Sequence, residues 1–135
     1  MPTKALIAAA AGLLGASVSP AASVEQLQGE RRVLIVAAPM TGDARLATQR
    51  RMLAGWARGA ADRDVTQVTI LGDTVTGADD DAQALRRRYR LAAGAFAVVL
   101  IGKDGHEALR SDRPVVARAL EATIDAMPMR RAGQR

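Results

Sequence analysis

The stretch Arg31–Pro39, RRVLIVAAP, decides the fold because it contains an unbroken apolar run from Val33 to Ala38. A strand without apolar–polar alternation is typical of a sheet that is covered on both faces, as parallel sheets are. The residues that follow, 41–62, begin with turn and N-cap chemistry and continue with apolar side chains at helical spacing. They predict a helix that packs on one face of the sheet.

Two more strands and another helix follow along the chain. Residues 64–71, DVTQVTIL, are rich in β-branched side chains and predict a second strand. The segment GDTVTG at 72–77 predicts a loop, and a helix then begins at Asp79–Asp81 and ends near Gly94. Residues 95–101, AFAVVLI, predict the most apolar strand. Helices between these three strands predict parallel pairing, because a parallel connection needs a crossover.

The last part of the chain predicts a hairpin and a closing helix. Asp104-Gly105 separates the third strand from a short strand at 106–110, and glycine takes the positive φ of such a turn at low cost. Ser111–Pro114 starts a helix that Pro128 ends. The order β-α-β-α-β-β-α predicts a three-layer α/β sandwich with a mixed four-stranded sheet and a terminal antiparallel hairpin. This is the thioredoxin-like arrangement in its minimal form.

The N-terminal residues have the composition of an export signal. A short basic start precedes an uncharged apolar run, Ala5–Ala16, and then a segment rich in small residues, which is the order found in cleaved signal peptides. The run is too short to span a membrane as a helix. We expect a signal peptide at 1–22, cleaved near Ala21 or Ala22, and a single domain at 23–135. The domain is then periplasmic or secreted, and it is not an integral membrane protein after cleavage.

Three segments in the C-terminal half resemble a known family. FAVVLIGKDG at 96–105, LRSDRPV at 109–115 and IDAMPMRR at 124–131 are similar to the signature of DUF4174, a domain of unknown function. The resemblance implies an exported thioredoxin-like domain without redox cysteines and with no established biochemical role. Ala108 stands where the family commonly has a lysine. The signature residues in this chain are Gly102, Lys103, Asp104, Gly105, Arg110, Asp125, Met127, Pro128, Met129 and Arg130.

Composition excludes several chemistries. Cysteine is absent, which excludes thiol–disulfide exchange, thiol peroxidase activity and cysteine-ligated zinc. A single histidine and one each of Trp, Tyr and Phe are too few for a histidine-rich metal site or a stacking surface for single-stranded nucleic acid. The acidic run Asp79–Asp81 is explained more simply as a helix start than as a metal site. We therefore expect no metal, no cofactor and no nucleic-acid partner.

A polar cluster near the predicted hairpin turn and the end of the last helix is the main candidate site. It comprises Lys103, Asp104, Arg110, Asp125 and Arg130. A structural pair between Asp125 and Arg130 or Arg131 explains the end of the last helix better than catalysis does, and a tight hairpin turn explains Lys103 and Asp104. None of the five residues is predicted to be catalytic. The leading hypothesis is a non-catalytic module that binds another protein or an anionic component of the cell envelope. The alternative is a hydrolase or small-anion-sensing enzyme that uses Lys103, Asp104, Asp125 and Arg130.

A second possible site is the start of the first long helix. Thioredoxin chemistry places its thiol pair after the first strand, where this chain has Ala38–Asp43 and no sulfur nucleophile. Free N–H groups at a helix N-terminus can hold an anion. The sequence leaves open whether they do so here.

Overall fold

The computed structural model describes residues 22–133, so the predicted signal peptide, apart from Ala22, lies outside the described residues. The alternation of helices and strands confirms the α/β class. None of the helices within this range is long and apolar enough to cross a membrane. The elements are α1 (Val24–Leu27), β1 (Arg32–Ala38), α2 (Ala44–Ala54), α3 (Ala57–Asp62), β2 (Val65–Leu71), β3 (Thr74–Thr76), α4 (Ala82–Tyr89), β4 (Ala97–Ile101), β5 (Glu107–Ser111), α5 (Ala117–Asp125) and α6 (Pro128–Arg131).

The strands form one mixed sheet in the order β3-β2-β1-β4-β5. β1 and β2 are parallel, but β4 is antiparallel to β1. β5 forms the expected antiparallel hairpin with β4. The prediction was therefore wrong on two points, since the described sheet has five strands rather than four and its third long strand is not parallel to the first.

The short strand β3 explains both differences. Gly72, with φ of +57°, makes the turn after β2, because a residue without Cβ adopts this conformation readily. β3 then runs antiparallel to β2 and carries the chain back towards α1, where Asp80 Oδ1 accepts a hydrogen bond from the Val24 N–H at 2.8 Å. α4 begins from that end of the sheet, so β4 enters in the direction opposite to β1.

Helices cover both faces of the sheet, and each face has its own apolar cluster. Leu34 and Val36 of β1 share one cluster with side chains of α2 and α5, whereas Val33 and Ile35 share the other with α1 and α4. All seven residues of β1 are buried. Coverage of both faces is the physical reason for the unbroken apolar run in the sequence.

The single helix predicted to end near Asp62 is two helices, α2 and α3, separated at Gly55 and Trp56. Trp56 is 5% exposed, and its indole N–H donates to Glu121 Oε2 of α5 at 2.7 Å. A buried indole needs an acceptor for its N–H. The interruption turns the ring into the core, where α5 provides that acceptor.

Candidate functional site

A pocket of about 330 Å³ opens at the end of the sheet where β1 begins and β4 ends. Its walls come from the start of β1, the β4–β5 turn, the first residues of β5 and the junction between α5 and α6. We call it the Arg32 pocket. It is lined by Arg32, Gly102, Lys103, Asp104, His106, Glu107, Ala108, Met127, Pro128 and Met129.

Arg32 is the most unusual residue of this pocket, because it is only 1% exposed. Its Nη1 donates to the Arg63 carbonyl at 2.7 Å, and its Nε donates to Met127 Sδ at 3.3 Å. No carboxylate among residues 22–133 lies within 4.0 Å of the guanidinium. Burial, followed by the charge of Arg130, lowers the pKa of Arg32 below its ordinary value. Buried charges in proteins are usually paired, so this cation is held at a cost to the fold.

Lys103 contributes a second cation, but a carboxylate accompanies it. Its Nζ lies 2.9 Å from Asp64 Oδ2, and the two side chains are 9% and 16% exposed. Asp64 has φ of +53°, a conformation that aspartate tolerates better than most residues. The Asp64 carbonyl also accepts the Arg32 N–H at 2.8 Å, which fixes the backbone before β2 beside the start of β1.

Asp104 organises the turn at the mouth of the pocket. Its Oδ1 accepts the His106 N–H at 2.9 Å, and its Oδ2 lies 3.3 Å from His106 Nδ1. These hydrogen bonds, chiefly the one from the His106 backbone, lower the pKa of the Asp104 carboxyl. Both side chains are largely exposed. The predicted Asp-Gly hairpin turn is present, with Gly105 at φ of +85°.

Asp125 and Arg130 lie next to the pocket and do not line it. Asp125 accepts two hydrogen bonds from Arg63, each at 3.1 Å, and its Oδ1 lies 3.3 Å from Arg130 Nε. Arg130 also pairs with Asp62. The bonds from Arg63, and then those from Arg130, lower the pKa of the Asp125 carboxyl. This network anchors the α5–α6 junction to α3. It includes a pair between Asp125 and Arg130, while its partners Arg63 and Asp62 were not among the predicted residues.

Arg110 lies apart from the other members of the predicted cluster. It borders a neighbouring recess with Glu107, to which its Nη2 is bonded at 2.9 Å. It also donates to the carbonyls of Tyr89 and Arg90. The structure thus brings Lys103 and Asp104 into the Arg32 pocket and places Asp125 and Arg130 beside it. Arg110 instead links β5 to the C-terminal end of α4 through its hydrogen bonds.

The other two candidate features have structural explanations. Asp43 caps α2 by accepting the Arg45 N–H at 2.8 Å, and the hydrogen bond from the Arg45 side chain is the main reason that its pKa falls to about 2. A carboxylate therefore already occupies the N-terminus at which an anion could have bound. In the acidic run, Asp81 caps α4 through the Ala84 N–H at 3.0 Å, while Asp80 receives the bond from α1.

Sequence reasoning missed Arg32, which is the centre of the pocket. Arg32 belongs to the quoted stretch Arg31–Pro39, but only the apolar run that follows it was interpreted. The phase of the strand contains the signal that was overlooked, because alternate residues of a strand face the same side. Arg32 is in phase with Leu34 and Val36 of the α5-covered face, whereas the side chain of Arg31 remains 37% exposed.

The fold and the pocket together define a small α/β domain with a buried cation in a recess with apolar walls. The chain belongs to the DUF4174 family, described as a domain of unknown function, whose family model matches residues 23–133. This confirms the family resemblance found in the C-terminal segments. A comparison with curated proteins found no match. Six signature residues line the Arg32 pocket, namely Gly102, Lys103, Asp104, Met127, Pro128 and Met129.

Proposed function

We propose that this protein is an exported, non-catalytic binding domain of thioredoxin-like fold, and that the Arg32 pocket is its binding site. The observation that carries the proposal is the buried Arg32 guanidinium without a carboxylate partner among the described residues. Folding gains little from such a group, because desolvation of a charge is costly. A ligand or partner that supplies the missing acceptor explains its presence.

The thioredoxin-like part of the proposal is supported by topology. β1 and β2 form a parallel pair, β4 and β5 form an antiparallel hairpin beside β1, and helices cover both faces. β3 is an addition at the far edge, next to β2. Because the chain has no cysteine, retention of this arrangement points to a role in binding rather than in electron transfer.

The paired state of the polar residues argues against the hydrolase alternative. That alternative needs Lys103, Asp104, Asp125 and Arg130 to converge on one concave site, but only the first two line the pocket. The carboxyl groups of Asp104 and Asp125 have lowered pKa values. They remain ionised at neutral pH, whereas a general acid needs a raised pKa.

Export belongs to the same proposal and rests on the order of the N-terminal sequence. The two predicted cleavage positions differ by one hydrogen bond of the described domain. The Ala22 carbonyl accepts the Asp79 N–H at 3.1 Å, so cleavage after Ala21 retains this bond and cleavage after Ala22 removes it. We expect the exported form to begin at Ala22 or Ser23. Its intact mass tests this, and an uncleaved chain confined to the cytoplasm would contradict the export proposal.

Photocrosslinking in cells tests the binding role. Met129 lines the pocket and is 42% exposed, so p-benzoylphenylalanine in its place can react with whatever occupies the pocket. Arg58 of α3, exposed and away from the pocket, is the matched control position. After irradiation, gels and intact-mass analysis detect protein and small-molecule adducts alike. A specific adduct at position 129 but not at 58 supports the proposal, and equal or absent labelling at both positions contradicts it.

A further inference from the structure

We infer that the Arg32 pocket takes a small amphiphilic monocarboxylate, with its carboxylate on the Arg32 guanidinium and its apolar body against the α5–α6 junction. This inference rests on the proposed function, because it assumes that the Arg32 pocket is the binding site. It adds the chemical class of the ligand. Three features support this ligand class. They are the N–H donors of Arg32 that have no acceptor among the described residues, the weak acceptor that is bonded to its Nε, and the charges around the pocket.

Arg32 has a donor group that the described residues leave unused. A guanidinium carries five N–H donors, and the bonds to Arg63 and Met127 engage only Nη1 and Nε. No fully buried side-chain nitrogen or oxygen in residues 22–133 lacks a hydrogen-bond partner. Nη2 therefore keeps some accessible surface, and the pocket that Arg32 lines is where a ligand can reach it.

The acceptor now on Nε is one that a carboxylate can replace. Met127 Sδ lies 3.3 Å from Nε, and a thioether is a weak acceptor. The Met127 side chain is also unbranched and flexible, so it can move aside at little cost. Nε and Nη2 together form the planar pair of donors that binds both oxygens of a carboxylate, and such charge-assisted pairs are about twice as strong as neutral hydrogen bonds.

The size and walls of the pocket define the rest of the ligand. A volume of about 330 Å³ is at the lower end of the range for small-molecule sites. Ala108, Met127, Pro128 and Met129 form the apolar part of the lining. A short aliphatic chain or a single ring fits these walls, while a large polar ligand does not.

The charges around the pocket favour a single negative charge. No carboxylate in residues 22–133 lies within 4.0 Å of the Arg32 guanidinium, and Asp64 and Asp125 act on its pKa only from farther away. Lys103, in contrast, pairs with Asp64 at 2.9 Å. Asp104 and Glu107 line the mouth, and like charges there repel a dianion more strongly than a monoanion. Ala108 adds no cation to the wall. A carboxylate is therefore favoured over a phosphate monoester, which carries close to two charges at neutral pH.

Titration of the purified protein with four probes that share a six-carbon chain tests the inference. The probes are hexanoate, hexyl phosphate, hexylamine and hexanol, each added at constant ionic strength and followed by amide chemical shifts in NMR spectra. We expect hexanoate to shift Gly102, Ala108 and Met129 and to bind at least tenfold more tightly than the other three. Equal binding of hexanol and hexanoate would overturn the ligand class.

Variants assign the effect to the guanidinium. In Arg32→Met we expect hexanoate affinity to fall at least tenfold with hexanol affinity unchanged. Arg58→Met, at an exposed position of α3 outside the pocket lining, is the control that leaves both unchanged. Arg32→Lys keeps the charge but not the planar donor pair, so it should also weaken hexanoate binding. It serves as the test if Arg32→Met does not fold. Ala108→Lys adds a cation to the wall and should strengthen hexyl phosphate binding about tenfold.

Two outcomes separate this inference from the function on which it rests. If none of the four probes binds, or if Arg32→Met binds hexanoate as the unmodified protein does, the monocarboxylate assignment is wrong. Photocrosslinking at position 129 then still decides independently whether the pocket is a binding site. If crosslinking also fails, the proposed function fails with it.

Discussion

Replacing Arg32 with methionine separates a residue that serves binding from one that serves the fold. Methionine has a similar length and no charge, so it can fill the space of the arginine side chain. Arg32 is 1% exposed, and no carboxylate among the described residues lies within 4.0 Å of its guanidinium. We therefore expect Arg32→Met to have a free energy of unfolding that is equal to that of the unmodified protein or up to about 3 kcal/mol higher. Loss of a structural ion pair would have the opposite sign.

The expected magnitude comes from two opposing contributions. Replacing buried ionic groups by well-packed apolar side chains of similar volume often stabilises proteins by about 1–4 kcal/mol. The variant also loses the hydrogen bond to the Arg63 carbonyl at 2.7 Å, and an unsatisfied acceptor costs about 1–3 kcal/mol. That carbonyl is only partly buried, so water can replace the guanidinium and the lower end applies. The net change lies between about zero and about 3 kcal/mol.

The lowered pKa of Arg32 determines how the stability difference between Arg32→Met and the unmodified protein depends on pH. A base whose pKa is lower in the folded than in the unfolded state destabilises the fold at every pH below the folded pKa. This penalty is relieved only as the pH rises through that lowered pKa towards the higher pKa of the unfolded state. We therefore expect the stability difference to be constant from about pH 5 to about pH 9, where arginine is protonated in both states.

Urea denaturation followed by the fluorescence of Trp56, the sole tryptophan, measures the difference. Since Trp56 is 5% exposed in the folded state, unfolding moves the indole into water and changes its emission. A shift in midpoint without a change in slope reports stability alone. A variant less stable than the unmodified protein would refute the reasoning, because removing one partner of a buried structural ion pair costs about 3–5 kcal/mol.

Three further predictions concern the scaffold. Gln49→Met should lower the free energy of unfolding by about 2–4 kcal/mol in the same urea assay, because Gln49 is fully buried and bonds both Val115 N–H and C=O at 2.7 and 2.9 Å; an unchanged midpoint would contradict this. Gly77→Ala should destabilise the protein more than Gly105→Ala does. At position 77 an added Cβ would lie 2.3 Å from the Gln67 carbonyl oxygen, whereas at position 105 it would meet only the movable side chain of Gln28. Thermal denaturation compares the two variants, and the reverse order of their Tm values would refute the reasoning. The pKa of Asp125 is lower in the folded than in the unfolded protein. Its contribution to the free energy of unfolding is therefore fully present above the unfolded pKa near 3.8 and disappears as the pH falls through the folded pKa. Asp125→Asn should lose less Tm on acidification than the unmodified protein does, and an identical loss in the two proteins would contradict this prediction.

Much of the fold could be predicted from local patterns, because the strands of the core are strongly apolar and the capping residues mark helix starts. Strand direction could not be predicted in this way. An apolar strand fits a parallel or an antiparallel neighbour equally well, and the direction of β4 depends on whether residues 74–76 form a strand. That segment alternates threonine and valine over only three residues, which is too short for its period to be distinguished from a loop.

The candidate site was predictable in part for a similar reason. Lys103, Asp104 and the α5–α6 junction carry distinctive residues close together in sequence, so family resemblance pointed to them. Arg32 lies about seventy residues away and reaches the pocket only because β1 pairs with β4, with Val33 opposite Ile101. A side chain brought in by sheet pairing leaves no local signature. The position of Arg32 in the strand could be predicted, but the lack of a carboxylate within 4.0 Å among the described residues could not.

The two ends of β1 have opposite electrostatic character, which explains where binding can occur on this scaffold. Beyond Ala38, the helix N-terminus is already capped by Asp43, and Arg45 forms an ion pair with that carboxylate at 2.8 Å, so donor and acceptor are both satisfied there. At the other end, Arg32 is buried with a thioether and a carbonyl as its acceptors. A carboxylate of the protein already caps the first end, whereas the second holds a buried cation whose acceptors are a thioether and a carbonyl. An incoming carboxylate therefore gains more in the Arg32 pocket.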